Sequence, residues 1–576
     1  MPSHRLAAVL LAGFALTVPA AFLEPAPAAA ADPKAPDSKT KDWKSAAAKV
    51  DDLIAARWRT QKDLVVAPMS DDAEFLRRAS IDLIGTIPTE AEAAAFLKDP
   101  AADKRAQAID RLLSNPKHAE WTALWYSNLL VGSQVRDRNL NRRTFNDWLR
   151  DQFARNRPYD EMVYDLITAT GNSDENGAVG LLSSFERSAA DAAGKTSRYF
   201  LGVQIQCAQC HDHPYDKRIK QSEFASFAAF FVTTTNRRNM SPTNPGEVSF
   251  DIGSFTKEDV TNPAYRGMGM ARRGAPLMLE VPAKGERRPP GELADAKFLL
   301  GKQVKDVPGI TRRELLAKWM TSKNNEWFAQ AFANRLWAYF MGHGIVHPVD
   351  DFSQANAPTN PALLKHLADE FVRGGFDVQH LTRVILNSEA YQRTSKMPRG
   401  LERPEASLYA VAAVKPLSVE QSFDSLFRAA GAEQEVARRL GGGMGMGGDA
   451  MKRRGQLVDP KMLIYAQFKR SFDDDEQGES EEFTGTIPRG LLMMNGPQIN
   501  QMLSAHPMSP LRKILDSERS DRERVRRVYL TVLTREPSPG ELSNALQHVH
   551  MSRTEVEGYE DLMWALCNTT EFMSNH

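Results

Sequence analysis

Apolar positions recur every three to four residues along most of the chain, which places them on one face of an α-helix. Val50, Leu53, Ile54 and Trp58 form the first such stripe. TEAEAAAFL opens on Thr89 with Glu92 three residues on, after Pro88, the signature of a capped helix start. Ile109, Leu112 and Leu113 mark another helix, and Trp121, Leu124, Trp125 and Leu129 a further one. FNDWLRDQFARNRPYDEMVYDLITATG predicts two helices, broken at Pro158 and stopped near Gly171. In FLRRASIDLIG, Arg78 and Asp82 stand four apart and are expected to pair on a helix face. Residues 172 to 188 predict a loop, followed by helical SAADAAGKTSRYFLGVQIQ and QSEFASFAAFF.

From about residue 236 to 308 the stripe is lost, and only short alternating pieces such as LMLEVPA suggest strands. Helices resume at Thr311 and continue through RRELLAKWM, EWFAQAFANRLWAYFMG, ALLKHLADEFVRGG, LTRVILNSEAYQ and SVEQSFDSLFRAAG to the C-terminus. Glycine-rich 441–455 and acidic 473–482 predict mobile insertions. The expected fold is mainly α: a helical domain over 44–238, an irregular connector with minor β over 239–308, and a second helical domain over 309–576.

Length and charge narrow the classes of function. At 576 residues more than one core is expected. Lys+Arg equals Asp+Glu at 73 each, so the chain has no electrostatic footprint for nucleic acid or anionic membrane. Residues 1–31 combine a weakly basic start, an apolar stretch from Leu6 to Val18 and a run of alanines, the pattern of a signal peptide. Residues 32–43 predict a disordered linker. An exported protein, periplasmic or extracellular, with no membrane span after leader removal is the expectation. Phosphate loops, Gly-x-Ser-x-Gly elbows and His-Glu-x-x-His pairs are missing, which removes support for the hydrolases and phosphotransferases that use them.

The chemistry concentrates in CAQCHDHPYD, residues 207 to 216. Cys207, Cys210 and His211 fit covalent attachment of haem c: two sulfurs on one side of a turn and an adjacent imidazole for the iron. The alternative cluster Cys207, Cys210, His211, Asp212, His213 and Asp216 fits zinc or another divalent metal. A dithiol or disulfide is the third reading. Under the haem reading, His213 and Asp212 would orient or tune the imidazole. Met268, Met270, Met444 and Met446 are conceivable axial ligands, although Gly-Met runs read first as loops. His343 and His347, close to Asp350 and Asp351, predict a turn whose aspartates bond the backbone, since Gly344 and Pro348 oppose a helix. His548 and His550 read as surface residues, and Cys567 as a small buried hydrophobe.

Longer blocks carry a resemblance. AEFLRRASIDLIGTIPT, NRPYDEMVYDLITATG and FLGVQIQCAQCHDHPYD, in that order, resemble the second cytochrome-associated domain of planctomycete proteins, a domain of unknown function. The stretch from RRELLAKWM to ALLKHLADEF is similar to the start of its habitual partner, the planctomycete D1 domain. LLMMNGPQIN, RVRRVYLTVLTREPSPGEL and LMWALCNTTEFMSNH match later blocks of that partner. The resemblance covers the chain from about residue 48 to the end. It implies two paired domains, and a haem-binding module often precedes them; with no such module in this sequence, the 207–216 block is the expected redox centre. The functional expectation is a haem-bearing electron carrier serving an unidentified redox partner protein. Its alternative is a non-haem metalloprotein, structural or hydrolytic on extracytoplasmic polymers.

Overall fold

The computed structural model describes residues 42–133, 140–185, 188–241, 248–256, 295–398, 400–432, 465, 468–469, 502–507 and 509–576. The expected leader, the LMLEVPA piece, both insertions and Met268, Met270, Met444 and Met446 lie outside the described residues. Among the described residues the fold is mainly α with two small antiparallel sheets.

Seven helices open the fold: α1 (Trp43–Trp58), α2 (Asp72–Ile84), α3 (Glu90–Lys98), α4 (Lys104–Leu113), α5 (Pro116–Val131), α6 (Arg142–Ala154) and α7 (Tyr159–Thr168). Local chemistry sets their ends. Thr89 and Glu92 cap each other reciprocally at the start of α3, as their spacing predicts. Pro158 separates α6 from α7 because its ring fits ahead of a helix and not inside one. The predicted loop over 172–188 is more ordered than its composition suggests. It contains β1 (Gly171–Asn172) and α8 (Val179–Ser183). β1 is a strand because it pairs with residues about eighty positions away (Gly171 opposite Ile252), which no local pattern reveals. The three-stranded sheet runs β1-β3-β2, with β2 (Thr234–Met240) and β3 (Val248–Ser254) forming a hairpin.

α9 (Ala189–Thr196) and α10 (Gln221–Ala228) flank the cysteine motif. After the sheet come α11 (Arg312–Met320), α12 (Glu326–Met341), α13 (Pro361–Arg373), α14 (Val378–Leu386), α15 (Glu389–Gln392), β4 (Lys415–Pro416) and α16 (Val419–Ala429). The C-terminal helices are α17 (Pro510–Ser517), α18 (Asp521–Leu533), α19 (Pro539–Met551) and α20 (Glu555–Cys567), and β5 (Ser574–Asn575) returns to pair with β4.

Cores are shared along the chain from Lys41 to His576, which forms one compact unit. Tyr159 of α7 places its ring 4.0 Å from Phe332 and 5.2 Å from Phe328, both on α12. A second cluster packs Ile81 and Ile87 against Leu417, Phe423, Val528 and Cys567. Cys567 is fully buried, and burial pushes its thiol up to about 12. No helix among the described residues is long and apolar enough to cross a membrane.

The predicted Arg78–Asp82 pair does not form. Arg78 turns back one helical turn to Glu74 at 2.7 Å and donates to the carbonyls of Tyr391 and Arg393. Asp82 instead receives Lys415 Nζ, Asn575 Nδ2 and the Tyr391 hydroxyl. Buried groups from distant segments outcompete an i,i+4 partner because each needs a hydrogen bond of its own.

Arg535 lies between two carboxylates, donating to both oxygens of Glu541 at 2.8 and 2.9 Å and to Glu571. Its guanidinium lowers the Glu541 carboxyl to about 2. A depressed folded-state value means that this pair stabilises the fold above the ordinary glutamate range. That contribution is lost as pH falls from about 4.5 towards 2. Glu541→Gln keeps a capping partner for Ser538. The difference in melting temperature between wild type and variant is therefore expected to be largest near neutral pH and to vanish near pH 2 in a thermal scan.

Candidate functional site

The cysteine motif is positioned by a change of helix type. α9 continues into a π-helical turn, Ser197–Leu201, which ends at Gly202 with φ 70°. Only glycine suits that position: its φ is left-handed, and a Cβ there would stand 2.6 Å from the Phe352 ring. The Ser197 hydroxyl donates to the Val203 carbonyl at 2.8 Å and ties the exit of the turn to its start. Val203 and Ile205 then bury, and Gln206–Gln209 form a 3₁₀ turn carrying Cys207, with Cys210 at its C-cap.

Asp350, about 150 residues further along, clamps the π turn. It is 3% exposed and accepts from Arg198 at 3.0 Å and from Arg335. Arg335 reaches on to the carbonyls of Arg198 and Tyr199, both at 3.4 Å. The sequence reading gave Asp350 a backbone-bonding role in a turn; it is the buried acid of an ion-pair triad, with Arg335 on the preceding helix and Arg198 about 150 residues earlier. His343 and His347 do form a turn, and their rings stack with centroids 4.1 Å apart. His548 and His550 are exposed and face Asp561 and Asp521.

Residues 209–221 form a closed loop. Gln221 Nε2 donates to the Gln209 carbonyl at 3.2 Å, and Asp212 accepts from Gln221 N and Lys220 Nζ, both at 3.1 Å. Those contacts hold the Asp212 carboxyl below the usual range. His213, Asp216 and Ile219 point inward at every third position and peg the loop to the protein. His213 Nδ1 accepts the amides of Tyr215 and Asp216 at 3.3 and 2.9 Å, so it carries no proton and its lone pair is taken. Asp216 receives the Arg218 guanidinium and the Gln354 amide, and Arg218 holds its carboxyl below the usual range. Arg218 lies over the Trp327 ring.

The structure thus separates the residues that the sequence grouped. Cys207, Cys210, His211 and Asp212 are exposed, whereas His213 and Asp216 are buried. Both cysteines are free thiols. His211 Nδ1 lies 2.7 Å from the Asp212 carbonyl. A carbonyl only accepts, so Nδ1 carries the proton and Nε2 keeps its lone pair in the neutral ring.

This arrangement corrects the haem and metal expectations. Among the described residues no group of three or more His, Cys, Asp and Glu side chains is gathered to hold a metal ion. For the six-residue cluster the reason is geometric: His213 and Asp216 turn inward, with His213 Nδ1 and the Asp216 carboxylate already hydrogen-bonded, while the other four residues face outward. For haem c on Cys207, Cys210 and His211, the apolar residues beside the thiols, Ile205 and Ala208, face the core. Arg198, Arg218, Asp350 and Gln354 were missed as parts of this site, because their contacts span up to about 150 residues. The glycine at 202 was the one local signal of the turn.

Two family models match the chain. Residues 49–236 match PSCyt2, described as a protein of unknown function (DUF1549), and residues 312–549 match PSD1, described as a protein of unknown function (DUF1553). No curated protein and no solved structure matches the chain.

Proposed function

Because the chain belongs to the planctomycete proteins that carry these two domains in this order, and that membership brings no activity with it, we propose a function from the site itself: thiol–disulfide exchange with a partner protein, outside the cytoplasm. The observation that carries the reading is the placement of two exposed free thiols three residues apart, Cys207 within a 3₁₀ turn and Cys210 at its C-cap. Side chains three apart eclipse on such a turn, and a rise of about 2 Å per residue separates them by about 6 Å. That separation lies within the span a disulfide bridges, about 4.4–6.8 Å between Cα atoms. The leader-like N-terminus supports an extracytoplasmic setting, where partner disulfides persist.

Exchange runs in two steps. The Cys207 thiolate attacks one sulfur of a partner disulfide, and the departing sulfur leaves as a thiolate that takes up a proton. Cys210 then loses its proton, for which His211 Nε2 is the neighbouring acceptor, and attacks the Cys207 sulfur of the mixed disulfide. The partner's second sulfur is released. Two electrons have moved: the partner is reduced, and Cys207–Cys210 is oxidised to a disulfide. Cys567 takes no part, being buried and protonated.

Insulin reduction with dithiothreitol as the terminal reductant tests this directly. Wild type is expected to accelerate it. Cys207→Ser and Cys210→Ser each lose at least about tenfold, Cys567→Ser keeps the rate, and Cys210→Ser accumulates a mixed disulfide. Equal rates in all three variants would reject the proposal.

A further inference from the structure

Helices α12 and α13 leave between them a cleft that shares no residue with the thiol turn. Its volume is about 670 Å³, within the range of about 300–1,000 Å³ found for small-molecule sites. Each wall is one stripe of a helix. Ala329 and Gln330 stand three and four positions after Glu326 on α12, and Ala368 and Asp369 repeat that spacing after Lys365 on α13. Both alanines are buried, and neither carries more than a methyl group, so the floor is apolar and the space above it stays open.

The two walls differ in their charges. On α13 the charges are already paired: Lys365 Nζ donates to both oxygens of Asp369 at 3.0 and 2.9 Å, and Arg373 pairs with Glu370 at 2.5 Å. On the other side they are not. Lys323, in the turn ahead of α12, and Glu326, at its first position, both line the cleft and are exposed. Among the described residues neither side chain has a hydrogen bond or an ion pair, and they do not pair with each other. The Lys323 charge is felt by Asp160 and that of Glu326 by Lys365, in neither case within ion-pair distance.

A wall that offers one free ammonium and one free carboxylate three residues apart selects by charge. An anion gains Lys323 and is repelled by Glu326, and a cation meets the reverse. A ligand with both charges close together gains from each. Hydrogen bonds between ionised groups are also roughly twice as strong as neutral ones. We propose that this cleft binds a small zwitterion with a hydrocarbon body, a free aliphatic α-amino acid. Its carboxylate meets Lys323, its ammonium meets Glu326, and its side chain lies on Ala329 and Ala368.

Calorimetric titration of the full chain with L-leucine tests this, beside N-acetyl-L-leucine, which lacks the ammonium, and L-leucinamide, which lacks the carboxylate. Wild type is expected to bind leucine with a Kd of about 1 mM or tighter, and each altered ligand at least about fivefold more weakly. Glu326→Gln should weaken leucine at least about fivefold and leave N-acetyl-leucine within about twofold. Lys323→Gln should do the same, with leucinamide as the insensitive ligand. Both side chains are exposed and bond nothing, so neither substitution removes a contact that the fold uses. Absence of leucine binding to wild type at about 10 mM overturns the proposal. So does a variant that weakens all three ligands alike, or one that weakens none.

Discussion

Replacing Asp82 by Ala is expected to cost about 3–5 kcal/mol of unfolding free energy, the range for removing one partner of a buried ion pair. Asp82 is 2% exposed and accepts from Lys415 at 2.8 Å, Asn575 at 2.7 Å and the Tyr391 hydroxyl at 2.9 Å. Its own carbonyl takes the Tyr339 hydroxyl at 2.7 Å. One carboxylate therefore ties α2 to the β4–β5 pair and to α15. The alanine variant leaves the Lys415 ammonium with only the carbonyls of Tyr339 and Phe340, and leaves the Asn575 amide and the Tyr391 hydroxyl without that acceptor. With total stabilities of about 5–15 kcal/mol, that is a large share. Urea denaturation checks it: the midpoint should fall with an unchanged slope. A loss below about 1 kcal/mol would show that Asp82 is not the tie described.

Asp350→Ala is expected to cost a similar amount, about 3–5 kcal/mol, by the same physics. Arg335 and Arg198 would lose their shared carboxylate, and the Arg335 side chain is only 7% exposed. The local consequence differs, because Arg198 belongs to the π turn that aims the thiols. Hydrogen exchange should therefore accelerate over residues 197–210 in this variant beyond its acceleration elsewhere. Uniform acceleration across the chain would mean that Asp350 stabilises the fold without holding the turn.

The contrast between these residues shows what the sequence could convey. Helix positions, the Thr89–Glu92 box, the break at Pro158 and the burial of Cys567 were legible because each depends on neighbours within a turn or two. The partners of Asp82 and Asp350 were not, because they lie up to about 490 residues away, where local pairing rules have no reach. The geometry of the cysteine block was not legible. Its spacing suggested convergence on one centre. The loop instead alternates inward pegs at 213, 216 and 219 with outward groups, a period set by irregular backbone and not by any regular element.

The central claim is that Cys207 and Cys210 act as one two-electron couple. The most direct measurement equilibrates the purified full chain in glutathione buffers of graded potential, quenches with acid, alkylates and weighs the intact protein. The account predicts that both thiols disappear together, the oxidised form being lighter than the reduced one by two alkyl labels and a further mass of about 2 Da, with a midpoint within the exchange-protein range of about −270 to −120 mV. Independent loss of the two thiols, or a bond that stays oxidised below about −300 mV as a structural disulfide would, contradicts it.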